Sequence, residues 1–254
     1  MKPFLRHTLE ILSVVALAAL WAVTASLGRK GRADTCQEVI ATITDSLQRK
    51  FVSEGDVRKW TSEYVTFKGR GLDSLNLDGL EKYLKGKSAV REAEAWITDD
   101  GNIHVSVTQR EPVVRFQDGG NGWYCDAGGF VFPLQSAFAE KVPIVDGDIP
   151  VKVERGFKGY PEEGGEWLRR IISMIDYMRK TDGWSSRIGQ IHVERTGDLI
   201  LIPARGKERF LMGQPTAVAE KFSRMKSYYR NIAPDHSYRT VDLRFDGQIV
   251  CSEK

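Results

Sequence analysis

Apolar and polar positions alternate with a period of two in several short runs of the chain. Between Val39 and Ile43, and again in residues 93–97 and 103–107, every second side chain belongs to one apolar face, which predicts short strands. The Asp-Asp-Gly-Asn turn at 99–102 separates the last two runs and predicts that they form a β-hairpin.

Two helices are predicted between the first strand and this hairpin. Ser53 can cap the first helix, and Asp56 takes the place of the capping-box glutamate three residues later. The second helix is indicated by three leucines on one face, Leu77, Leu80 and Leu84. The order strand, helix, helix, strand, strand predicts a compact α+β unit over residues 36–110, with both helices on one face of a small sheet.

Beyond Pro112 the pattern changes to short strands joined by turns, at 112–116, 122–126 and 129–133, with a hairpin over 188–204 that turns at Thr196 and Gly197. Two helices interrupt this region, and Pro215 fits the first turn of the second. Their apolar stripes are Trp167, Leu168, Ile171, Ile172, Ile175 and Met178, and then Val218, Phe222, Met225, Tyr229 and Ile232. The pattern predicts a mixed β domain with two helices over residues 111–254.

The most regular alternation lies in the closing run, residues 238–250. Val241, Leu243 and Phe245 share one face and predict a strand that covers a core, while Thr240, Asp242 and Arg244 form its polar face. A strand so late in the sequence can occupy a sheet edge with unpaired backbone groups. After it, the Asp-Gly at 246–247 either turns the chain back into a hairpin, which would cover that edge, or bulges the strand and prolongs it.

An uncharged stretch, residues 11–28, precedes these domains. Its length and the basic residues that follow it favour a transmembrane helix, whereas the small residues near its end are compatible with a signal peptide. We predict a membrane anchor, with residues 1–10 as a cytoplasmic tail and residues 29–35 as a linker. Because large domains are exported with little regard for flanking charge, the body is expected outside the cytoplasm.

The charge distribution and the cysteine content exclude some classes of partner and metal site. The formal net charge of +3 arises wholly in the first 35 residues, from Lys2, Arg6, Arg29, Lys30 and Arg32 against Glu10 and Asp34. The neutral body argues against nucleic acid as a partner, because phosphate binding requires a basic face. Three widely spaced cysteines predict neither a zinc site nor a disulfide framework; free thiols and a single bridge between Cys125 and Cys251 are both compatible with the sequence.

Catalytic motifs are not recognisable in the sequence. It contains no G-x-S-x-G, H-E-x-x-H, S-x-x-K or Walker sequence, and no nucleophile motif accompanies its four histidines. Paired acids at 99–100 and 162–163 lie beside glycines in predicted turns, where adjacent carboxylates do not converge on a substrate. We therefore predict no enzyme activity, no cofactor and no metal site.

The arrangement resembles the FtsQ family of cell-division proteins, called DivIB in Gram-positive bacteria. Its members have a cytoplasmic tail, one membrane helix, a POTRA domain with the strand and helix order given above, and a β domain. The residues that carry the resemblance are the Arg-Glu-Pro-Val of Arg110 to Val113, then Asp126, Gly129, Val131 and Phe132, and finally Val241 to Phe245 with Gly247. The cytoplasmic tail is shorter here than in many members.

The resemblance implies a non-enzymatic divisome scaffold in the cytoplasmic (inner) membrane, at the division septum. Such proteins bind FtsB/DivIC-type and FtsL-type partners outside the cytoplasm and help regulate the septal peptidoglycan synthase complex. The implied mode for FtsB is β-strand addition at the last strand. The partner-binding residues that follow are Tyr238, Thr240, Val241, Asp242, Leu243, Arg244, Phe245 and Gly247.

Two other functions fit parts of the sequence. A POTRA-bearing transport or outer-membrane assembly component would also use strand addition, but only one POTRA-like unit is present and no run of amphipathic barrel strands follows it. An exported hydrolase would need a nucleophile motif, which the sequence does not offer.

Overall fold

The computed structural model describes residues 13–24, 38–47, 49–64, 71, 74–236 and 238–253. They include a helix at 13–24 with exposed apolar side chains, and two compact units, one drawn from 1–48 and 52–109 and the other from 49–51 and 110–254. Nowhere in the described chain is a helix both long and apolar enough to cross a membrane. The predicted span, 11–28, lies only partly within the described residues.

The first unit has the predicted order of elements: β1 (Val39–Ile43), α1 (Glu54–Tyr64), α2 (Leu77–Lys85), β2 (Val90–Ile97) and β3 (Ile103–Gln109). Its sheet has the order β1-β3-β2, with β3 parallel to β1 and antiparallel to β2. Every second residue of β3 is buried, as the alternation predicts, and the leucines Leu80 and Leu84 of α2 are buried as well.

The predicted cap of α1 is confirmed. The amide of Asp56 donates to Ser53 Oγ (3.1 Å), and the amide of Ser53 donates to Asp56 Oδ2 (2.9 Å), which is the reciprocal pattern of a capping box. Hydrogen bonds from the Ser53 side chain and amide lower the pKa of the Asp56 carboxyl. Asn76 caps α2 by accepting from the amide of Gly79 (2.8 Å).

The second unit is a nine-stranded mixed sheet with helices. Its elements are β4 (Pro112–Asp118), β5 (Asn121–Asp126), β6 (Val131–Pro133), β7 (Ile144–Gly147), α3 (Gly165–Lys180), α4 (Trp184–Arg187), β8 (Ile188–Val193), β9 (Leu199–Pro203), β10 (Arg209–Gly213), α5 (Val218–Asn231), β11 (Thr240–Asp242) and β12 (Val250–Ser252).

The strand order in this sheet is β12-β11-β10-β9-β8-β7-β4-β5-β6. The pairs β4–β7, β7–β8 and β10–β11 are parallel, and the other neighbours are antiparallel. The predicted stripes of α3 and α5 pack into one core with the sheet: Ile171, Ile175 and Met178 of α3 and Phe222 and Met225 of α5 are all buried there. The predicted α+β class and the mixed β region are confirmed.

Three details of the sequence prediction need correction. Strands β7 and β10 and the single-turn helix α4 were not predicted, because they are short and their apolar residues do not alternate over a long enough window. Pro215 lies outside α5, which begins at Val218. Ala217 before it has a left-handed φ of 49°, which is incompatible with an earlier helical start.

Candidate strand-addition site

The closing run does not form one strand. Strand β11 ends at Asp242, and the chain returns through the turn at Gly247, whose φ is 68°, to form β12. The two strands are antiparallel and pair Thr240 with Ser252 and Asp242 with Val250. Of the two sequence alternatives the hairpin is therefore confirmed, and the expectation that residues 240–242 form the sheet edge is wrong, because β12 covers them.

The predicted apolar face is buried at Val241 and Leu243, but not at Phe245 beyond them. Val241 and Leu243 are fully buried in the core, and the amide of Leu243 still donates to the carbonyl of Leu211 (3.0 Å). Phe245 is 52% exposed, so its predicted place in the core is wrong. The strand has ended three residues earlier, and alternation carries no information about side-chain direction in a turn.

The polar side chains of this segment form a tight fork. Arg244 Nε lies 3.0 Å from Asp242 Oδ1, Arg244 Nη2 lies 2.6 Å from Asp242 Oδ2, and the Arg244 amide also donates to Oδ1 (3.0 Å). Burial raises the pKa of the Asp242 carboxyl, but the hydrogen bonds and charge of Arg244 outweigh it and leave the pKa below its ordinary value.

Among the described residues, β12 is the edge strand at this end of the sheet. The carbonyl of Arg239 accepts from Arg209 of β10 and the amide of Leu243 donates to Leu211 of β10, whereas the amide of Arg239 donates to the Ser252 carbonyl of β12 (3.0 Å). Thr240 and Asp242 lie between the two β10 contacts, pair with Ser252 and Val250, and point toward β12. Their partners Val250 and Ser252 therefore point back toward β11. Since backbone groups alternate along a strand, the amide and carbonyl of Cys251 point outward, away from the sheet.

The surroundings of this edge include residues that sequence reasoning missed. A cavity of about 460 Å³ is lined by Lys207, Tyr238, Arg239 and Glu253. Tyr238 is half-buried against the core, Thr240 is half-buried and Gly247 is exposed, so the predicted site residues are divided between core and surface. The second strand of the hairpin, β12, has a signal in the sequence, because an Ile-Val-Cys run one residue after an Asp-Gly turn is typical of such a strand.

Comparisons with known proteins match both units. A POTRA-like domain model matches residues 34–108, and a model described as FtsQ/DivIB, C-terminal related, matches residues 111–252, which is more than half of the chain. The chain belongs to the FtsQ/DivIB family. Among curated proteins it is similar to the cell division protein FtsQ of Salinibacter ruber (strain DSM 13855 / M31), at 26% identity over 182 residues. That alignment covers 63% of this chain and 63% of the relative.

The FtsQ/DivIB motifs noted in the sequence lie at opposite ends of the sheet. Arg110 Nη1 forms a 3.0 Å ion pair with Asp126 Oδ2, so the first two motifs are joined through largely buried side chains. The Asp126 Oδ1 atom accepts from the amides of Gly128 (2.9 Å) and Phe130 (3.0 Å), and the Arg110 guanidinium lies over the Phe130 ring. The third motif, around Val241 in β11, is five strands away across the sheet from β4.

Other groups with candidate chemistry in this FtsQ/DivIB chain are His192 and the two described cysteines. His192 Nδ1 lies 2.9 Å from Asp146 Oδ1, and Gln190 donates to the other oxygen of the same carboxylate. Cys125 and Cys251 are both free thiols, and since β5 and β12 lie near opposite ends of the sheet, a bridge between them is not formed. Burial raises the pKa of both thiols. Among the described residues, no cluster of three or more His, Cys, Asp or Glu side chains is arranged to hold a metal ion.

Proposed function

We propose that this protein is a non-enzymatic scaffold of bacterial cell division, which binds FtsB/DivIC-type and FtsL-type partners and helps regulate the septal peptidoglycan synthase complex. Membership of the FtsQ/DivIB family supports a role in division, and the similar Salinibacter ruber protein is named for that role. The observation that carries the binding step is the free edge of β12 at the end of the nine-stranded sheet.

In this proposal, an extended segment of the FtsB/DivIC-type partner adds a tenth strand beside β12. The outward amide and carbonyl of Cys251 supply the first pair of backbone hydrogen bonds, which give affinity without selecting a sequence. Selectivity then comes from nearby side chains: the exposed ring of Phe245, and Lys207 and Arg239 in the cavity beside the strand. Because β12 has only three residues, these side-chain contacts have to contribute a large share of the binding energy.

We further propose that residues 11–28 anchor the chain in the cytoplasmic membrane, with residues 1–10 in the cytoplasm and both units outside it, at the division septum. The uncharged apolar sequence of residues 11–28 supports this part of the proposal, as does the exposure of Leu17, Leu20 and Trp21 on the helix at 13–24.

The binding step is tested by two proline substitutions one residue apart. Proline at Cys251 removes an outward amide and no bond to β11, so Cys251→Pro is expected to fold and to bind the FtsB/DivIC-type protein of the same cell about tenfold more weakly. Proline at Val250 removes a ladder bond, so Val250→Pro should lose β12 itself. Unchanged affinity of a folded Cys251→Pro protein would rule out the proposed edge.

The cellular role is tested by imaging a fluorescent fusion of the full chain. Midcell localisation, and filamentous cells on depletion, are the results that the division proposal predicts. A uniform or outer-membrane distribution would instead favour the transport or assembly alternative, and turnover of peptidoglycan or ester substrates by the purified protein would overturn the non-enzymatic assignment.

A further inference from the structure

The loop between β11 and β12 is held by a side chain from a helix distant in sequence. Arg224 of α5 donates from Nη1 to the carbonyl of Phe245 (2.8 Å) and from Nη2 to the carbonyl of Leu243 (2.9 Å). The planar guanidinium thus bonds two carbonyls that lie two residues apart in a loop without strand pairing. The neighbouring α5 residues Phe222 and Met225 are buried in the core. Their packing fixes this part of α5 and therefore the position of the Arg224 backbone.

The same loop is fixed from its other side by Arg244. This side chain forks onto Asp242 and also lies 3.9 Å from Asp198 Oδ2. Its stem crosses the backbone at Gly213, where an added Cβ would come within 2.9 Å of Arg244 Cγ. Gly213 has a φ of 67°, so glycine is required there both for conformation and for space.

Contacts with the two arginines restrict the conformation of the first residues of this loop. Leu243 is anchored in the core, its carbonyl and that of Phe245 are bonded to Arg224, and Arg244 is turned toward Asp242. Phe245 is the large apolar side chain of this loop that is not packed in the core: its ring is 52% exposed, and the loop leads directly into β12. An exposed aromatic ring on a fixed loop loses little conformational entropy when a partner covers it.

We propose that Arg224 is a positioning residue of the partner site: it fixes the 243–249 loop, and thereby sets both the presentation of Phe245 and the alignment of β12. This inference rests on the proposed strand addition for its effect on binding, but its effect on the loop is independent of any partner. Loss of the guanidinium fork removes this donor from the carbonyl of Leu243 and leaves the carbonyl of Phe245 only the long bond from the Gln248 amide (3.4 Å). The loop then lets β12 fray from its three-residue pairing with β11.

The test compares Arg224→Lys with Lys226→Gln in the full chain. Lysine keeps the charge but not the fork, whereas Lys226 lies on the same helix and pairs with Asp182 (2.9 Å), away from the loop. Hydrogen exchange of the amides in 243–252 is measured in the free protein. We expect these amides to exchange at least tenfold faster in Arg224→Lys and at an unchanged rate in Lys226→Gln. The exchange rates of the β8 and β9 amides should be unchanged in both variants.

Affinity for the FtsB/DivIC-type protein of the same cell is measured on the same samples, and a fall of about tenfold is expected for Arg224→Lys alone. Unchanged exchange in a folded Arg224→Lys protein overturns the inference, as does faster exchange with unchanged affinity. If the unsubstituted protein does not bind, the proposed function fails, and the exchange data alone then decide whether Arg224 fixes the loop. Arg224→Gln serves as a second variant should the lysine not be accommodated.

Discussion

The two ends of the nine-stranded sheet are built differently. At the β6 end, β4 and β5 have seven and six residues and are joined by the Arg110–Asp126 ion pair, and the rings of Phe51 and Phe138 add an aromatic cluster over Tyr124 and Phe132. At the β12 end, two three-residue strands depend on arginine side chains that hold the loop between them. The edge strand β6 also has only three residues, but Val131 forms a bridge with Gly159 and the aromatic cluster packs at the β6 end. Within the described residues, no strand pairs with the outer side of β12.

This contrast gives the FtsQ/DivIB motifs separate physical meanings. The Arg110 and Asp126 motifs stabilise the start of the second unit, because a buried charge pair with three further hydrogen-bonding and ring contacts tolerates little change. The motif around Val241 places Val241 and Leu243 in the core and an adjacent loop at the surface. Changes at the first end should therefore act on folding, whereas at the second end changes of buried residues should act on folding and changes of the exposed loop on binding.

The largest expected effect is at the β6 end. Asp126→Ala leaves Arg110 without its partner and two turn amides without an acceptor, so the free energy of unfolding should fall by about 3–5 kcal/mol. Urea unfolding monitored by tryptophan fluorescence measures it. Asp118→Ala is the matched control, because its pair with Lys152 is exposed and contributes about 0–1 kcal/mol. Equal small losses in both variants would contradict the structural role.

At the β12 end, adjacent side chains should separate folding from binding. Leu243→Ala removes a fully buried side chain and should lower the free energy of unfolding by about 2–4 kcal/mol. Phe245→Lys, at an exposed position, should change it by less than about 0.5 kcal/mol while weakening partner binding. Urea unfolding and titration with the FtsB/DivIC-type protein distinguish the two. A destabilised Phe245→Lys protein would show that the ring packs in the core after all.

How far the sequence predicts this contrast depends on the length of each element. Strands β2 and β3 and helices α3 and α5 are long enough for periodicity to show, and the core faces of all four follow it. The strand β12 is not long enough, and its pairing depends on a turn at Gly247 that alternation does not encode. Phe245 was misplaced because the strand ends at Asp242, and the loop that follows is bonded by Arg224, 21 residues before Phe245.

A smaller effect is expected from pH. The pKa of Asp242 is lower in the folded protein than its ordinary value of about 4, so its contribution to stability is complete above that value and is lost as the pH falls through the folded pKa. Asp242→Asn should lower the free energy of unfolding by about 1–2 kcal/mol at pH 7. The difference between the two proteins should shrink as the pH falls below the ordinary carboxyl pKa of about 4 and through the lower folded pKa. A gap that stays constant over that range would exclude an ionised Asp242 as its source.

The central claim, that a partner strand pairs with the outward groups of Cys251, is tested most directly by the exchange rate of that single amide. NMR of the isotopically labelled full chain in detergent, with and without the FtsB/DivIC-type protein, resolves the amides of Val250, Cys251 and Ser252. At a partner concentration of about 100 times Kd, the Cys251 amide should exchange about 100-fold more slowly. Its two neighbours bond to β11 already and should gain less. A complex that forms while the Cys251 amide keeps its free rate would contradict strand addition at this edge.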